Sequence, residues 1–263
     1  MAMALEVKSD DPSIKAHREA AARRVIDHFD ASLPDSRLLC FLDDEDPREL
    51  RQKYGPANRG GYLRVHNPAA LDGWPPYVRR LVYPYHLAGG QTRVFDGVVY
   101  LYGSTCADEV GLSMTLAHEL QHAIQFSKER QLWAVNSLVA QGLTEETVAI
   151  LGLEWKDIPI EVDARIVSKR LAESLFGEER VLRYVDDKIS ARITDSDVAD
   201  WQFVRTLTGL STVDLASETR RLYERLRGYR SELEDALQLP QMESPDYAGI
   251  DLDAFFDLAA TRG

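Results

Sequence analysis

One run constrains this chain more than any other. Leu112 to Phe126 contains no proline or glycine and carries His118, Glu119 and His122 at its centre. Residues four apart on a helix stand one above the other, so His118 and His122 can offer two imidazoles to a single metal ion. Glu119 then lies beside them as a carboxylate next to a metal-held water. At about 100° per residue, with His118 at zero, His122 falls near 40° and Glu119 near 100°. Leu112, Leu116, Leu120, Ala123 and Ile124 lie between about 120° and 240°. The apolar stripe is therefore opposite the histidines, as expected for a helix that packs on a core and turns its polar face to a cleft.

The pattern His118-Glu119-Leu120-Gln121-His122 resembles the metal-binding helix of the zincin metallopeptidases, in which the glutamate is the general base. The resemblance spans about residues 90–175. It implies an α+β fold, a bound Zn2+, a peptide or protein substrate and hydrolysis by a metal-activated water. It also implies an edge strand before the helix that lines the substrate cleft and binds substrate by strand addition. The stretch from Val94 to Tyr102, within a longer β-branched and aromatic run around Asp96-Gly97, is read as that strand, bulged or folded into a tight hairpin.

Catalytic zinc normally has three protein ligands and an open position. No histidine follows His122, so a third imidazole would have to come from His17, His28, His66 or His86. A downstream carboxylate is the simpler choice and makes the chain look like a gluzincin. Glu161 is preferred. It stands in a first turn opened by Pro159, where an acidic residue complements the helix dipole. Ala164, Ser168 and Ala172 share its face and would let that helix approach the metal helix closely. In several small bacterial zincins the third ligand is a glutamate followed three residues later by alanine, as here. Glu145 and Glu146 are the rivals, with a solvated helix face as their plainer explanation.

A ligating histidine usually donates its second N–H to a carboxylate or carbonyl, and Asp163 and Asp108 are the candidates here. A donor to the developing oxyanion is also needed. Arg165, Tyr184, Tyr83, Tyr85 and His86 are the candidates. For Arg165 the plain alternative is a surface salt bridge of little energetic weight. For the segment Leu81 to His86 it is a strand with ordinary aromatic packing.

The rest of the sequence sets bounds. With 263 residues, 44% hydrophobic and 28% charged, the chain has enough apolar content for one large or two small globular domains. No stretch approaches the ~20 apolar residues of a membrane span, and the mixed, acidic N-terminus lacks the pattern of a secretory signal. Cys40 and Cys106 are too few for a disulfide framework, which points to the cytoplasm. A formal charge of −12 argues against nucleic acid as a partner.

Strands come early and helices late, which indicates α+β with a small, mostly antiparallel N-terminal sheet and a helical C-terminal half. Helices are expected over 13–30, 112–126, 136–151, 161–176, 181–189 and 213–237. Strands are expected over 36–42, 62–65, 81–86 and 93–102. The zincin-like core is placed at 1–190, and a helical region at 191–263 packs on it or forms one domain with it. A loop at about 191–200 would divide them. The last helix is read as a cover for the core, with a homodimer face as the alternative. A zinc-binding protein of zincin fold without turnover is the alternative function.

Overall fold

A computed structural model of the chain describes residues 4–29, 33, 38–45, 47–54, 59–64, 76–87, 97–128, 132–133, 136, 152–207 and 213–226. By contact density the chain divides into two compact units, residues 1–124 with 165–208 and residues 125–164 with 209–263.

The first unit holds a four-stranded sheet. Its strands are β1 (Ala4–Lys8), β2 (Leu38–Asp43), β3 (Gly60–Arg64) and β4 (Gly97–Tyr102), in the order β1-β2-β4-β3. Helix α1 (Pro12–Phe29) connects β1 to β2, while α2 (Arg48–Tyr54) and α3 (Pro76–Leu87) lie between β2 and β4 in the chain. β1 pairs parallel with β2 and β2 parallel with β4, and only β3 runs antiparallel to its neighbour. The expected mostly antiparallel sheet is thus corrected to a mostly parallel one. The cause is the helical crossover α1, which returns the chain to start β2 in the same direction as β1.

Parallel sheets are normally covered on both faces, and this one is. Every residue of β2 and of β4 is buried. Leu38, Cys40, Leu42, Val99 and Leu101 face one core with Ala21, Ala22, Val25 and Phe29 of α1. That core also takes Leu112, Leu116, Leu120 and Ile124 of α4 (Glu109–Lys128). Leu39, Phe41, Val98, Tyr100 and Tyr102 face the other core, with Leu50 of α2 and Tyr77, Val78, Leu81 and Val82 of α3. Alternation along each strand sends successive side chains to opposite layers.

Three further expectations change. The segment 81–86 is helical, because Tyr77, Val78, Leu81 and Val82 repeat with a helical rather than a two-residue period and bury one stripe. β4 lies between β2 and β3, so both its sides are occupied, and Gly97–Tyr102, the described part of the stretch from Val94 to Tyr102, is not the edge strand expected to take substrate. The loop expected at 191–200 is largely helix, with Thr194 capping it through the backbone N–H of Asp197 at 3.0 Å.

After α4, the described helices are α5 (Pro159–Phe176), α6 (Glu178–Ala191), α7 (Asp195–Thr206) and α8 (Leu215–Leu226). Val110 and Met114 of α4 pack with Ala172 of α5, Val181 and Tyr184 of α6, and Trp201 and Val204 of α7. In the second unit, Phe126 meets Trp133 edge to face at 5.0 Å. There Asn136 also donates to Thr219 Oγ1 at 2.8 Å. The expected helix at 136–151 lies almost wholly outside the described residues. Among the described residues no helix is long and apolar enough to cross a membrane.

Candidate metal centre

Helix α4 is built from its N-terminus. Asp108 Oδ1 accepts the backbone N–H groups of Val110 at 2.8 Å and Gly111 at 3.0 Å, which caps two of the donors a helix start leaves open. Asp108, a candidate partner for a ligating histidine, therefore serves as the cap of α4. Glu109 in the first turn and Lys128 in the last both suit the helix dipole. Glu109 also receives Arg24 at 2.9 Å, Arg180 at 3.2 Å and His17 at 3.3 Å, tying α1 and α6 to the start of α4. Burial raises its carboxyl pKa, but the bonds from Arg180 and Arg24 and the charge of His17 outweigh this and hold it below the usual glutamate range.

Two turns on, the Nε2 atoms of His118 and His122 stand 3.1 Å apart with their rings edge to face. His122 and Glu119 are buried and His118 is half-buried. At that distance two imidazole lone pairs repel, so one ring must donate a proton or both must face a cation. Tetrahedral zinc, with ligands about 2.0–2.1 Å away, places two ligand atoms about 3.3 Å apart. The pair fits that requirement.

Glu161 stands in the first turn of α5, which opens with Pro159 after a short 3-10 turn at Trp155–Asp157. It is buried. One candidate ligand atom from each of His118, His122 and Glu161 lies within 4.8 Å of the others. Among the described residues this is the group of three His, Cys, Asp or Glu side chains whose atoms converge in this way. Two imidazoles and a carboxylate, all neutral or anionic donors of nitrogen and oxygen, form a set that suits zinc. The group can hold a metal ion.

The other candidates are distributed as follows. Asp163 is buried, and its Oδ2 accepts Gln125 Nε2 at 2.8 Å. Arg165 is buried and paired with Asp200 of α7 at 2.6 Å, so it is not the exposed pair expected as its plain alternative. Tyr184 packs edge to face on Trp201 at 5.7 Å, and its hydroxyl lies over Gly111, two turns before His118. Burial, followed by the opposing Arg59 charge, leaves its hydroxyl with a raised pKa. Glu145, Glu146 and His66 lie outside the described residues, as do the side chains of Tyr83, Tyr85 and His86.

Gln125 is a further polar residue of the histidine face, and its acceptors are Ile160 and Asp163. It stands seven residues after His118 and so returns to the histidine face of α4.

No protein-family model, curated protein or solved structure matches this chain in comparison.

Proposed function

We propose that this protein is a zinc-dependent metallopeptidase of gluzincin type. The observation that carries the reading is the convergence of His118, His122 and Glu161 with Glu119 adjacent to the first ligand. His118, His122 and Glu161 hold the metal. When bound, zinc supplies a Lewis acid that polarises a carbonyl and acidifies water at its open position. Glu119 takes the proton of the attacking water onto its carboxylate. It then hands that proton to the amine nitrogen as the peptide C–N bond breaks. Its burial supports this role, because a carboxylate shielded from bulk water exchanges its proton with the reacting groups rather than with solvent.

The test combines metal analysis with cleavage. Protein purified without chelator or histidine tag is assayed for bound metal, then incubated with a proteome-derived peptide library, and new termini are read by mass spectrometry. About one zinc per chain is expected. New termini are expected with wild type, falling about 10²–10⁴-fold with Glu119→Gln while zinc is retained. No zinc after incubation with excess metal overturns the reading. Zinc with identical termini from both proteins overturns the catalytic part and leaves a zinc-binding structural protein.

A further inference from the structure

Gln125 connects the histidine face of α4 to the first turn of α5. Counted at about 100° per residue, Gln125 falls about 20° from His118 and about 60° from His122, on the face that carries the ligands. Its side-chain Nε2 donates to the carbonyl oxygen of Ile160 at 2.9 Å and to Asp163 Oδ2 at 2.8 Å. Both hydrogens of one amide are thus used, and the two acceptors bracket Glu161 in sequence. Gln125, Ile160, Glu161 and Asp163 are all buried, where such bonds are strong and their loss leaves groups that cannot turn to water.

We propose that Gln125 is a positioning residue that sets Glu161 for metal binding; this rests on the metal-site reading above. One bond fixes the backbone just before Glu161. The other fixes a side chain two residues beyond it. Together they define the position and rotation of the helical turn that presents the Glu161 carboxylate. Fixing the turn before metal arrives removes the ordering cost that a mobile carboxylate would meet on binding. Partners behind a ligand commonly change metal affinity about 10–100-fold.

The experiment measures zinc dissociation constants by competition with a chromophoric chelator, together with thermal melts of the zinc-free proteins. Gln125→Met keeps length and loses both donors. It is expected to weaken zinc binding about 10–100-fold. In a Glu161→Ala background the same substitution is expected to change affinity less than about threefold, because there is no ligand left to position. Asp163→Asn keeps an acceptor oxygen and should retain near wild-type affinity, whereas Asp163→Ala should weaken it. The Asp163 pair supplies the same reading if Gln125→Met does not fold. Wild-type affinity in folded Gln125→Met or in Asp163→Ala overturns the proposal. So does an equal loss with and without Glu161, which would mark a merely structural contribution. Absence of zinc binding by wild type defeats the metal-site reading itself, and this proposal with it.

Discussion

His118 and His122 present their Nε2 atoms to each other at 3.1 Å from consecutive turns of one buried helix. Two imidazoles on consecutive turns of one unbroken helix need no other segment to bring them together. The third candidate donor, Glu161, comes from a different helix, α5.

Zinc should therefore stabilise the folded chain. At a free zinc concentration about 100 times the dissociation constant, linkage contributes about 2.7 kcal/mol. A clear rise in melting temperature is expected for wild type. Glu161→Ala should lose most of that rise while keeping nearly the same zinc-free melting temperature, as calorimetry on both forms would register. An undiminished rise in the variant would remove Glu161 from the ligand set.

Glu109 gives a pH dependence of known sign. Its native carboxyl ionises more readily than the ordinary value of 4.5, because the Arg180 and Arg24 bonds outweigh the burial that opposes them. Its stabilisation is complete above the unfolded value and fades as pH falls through the lower native one. Glu109→Gln should destabilise the protein at pH 7 by about 1 kcal/mol or less, since Arg24 and Arg180 are half-exposed and solvent screens the pairs. Urea melts should show the difference between variant and wild type shrinking as pH falls below the ordinary glutamate value of 4.5.

Both cysteines should be chemically silent in the native state. Burial raises the Cys40 thiol pKa well above its ordinary value, with the nearby Cys106 adding to the effect. Burial also pushes Cys106 up to about 12, against the opposing charge of Arg18. A thiol reagent at pH 8 should titrate neither in the folded protein and both after denaturation. Rapid modification of the native protein at either position would contradict this burial.

Leu120 separates the core from the candidate metal site. It is fully buried one residue after Glu119, on the opposite side of α4 from the histidines. Leu120→Ala should cost about 2–5 kcal/mol through lost transfer energy and the cavity left behind. Zinc stoichiometry of the folded variant should remain that of wild type. Loss of metal without loss of stability would place Leu120 in the site rather than the core.

Much of this protein was legible where the controlling interactions are local. Helix α4 follows from an apolar stripe opposite two histidines, and α5 from Pro159 and an acidic first turn. The terminal strand β1 was not found, because Ala4 to Lys8 alternates weakly and gains its identity by pairing with Leu39 to Asp43. α3 is ambiguous in sequence because its aromatic run suits either strand or helix, and burial against Leu39, Phe41 and Tyr100 decides between them. The role of Gln125 was hidden because an amide in a helix is ordinary until its acceptors, 35 and 38 residues away, are known.

Sequence alone determined the helix that carries His118, Glu119 and His122, because a four-residue spacing and a 3.6-residue period fix which side chains share a face. It also supplied Glu161 as a candidate, one carboxylate among several. Tertiary structure decided the rest: the parallel pairing of β1, β2 and β4, and the enclosure of β4. Those outcomes depend on contacts between segments far apart in the chain, which only the folded packing brings into register.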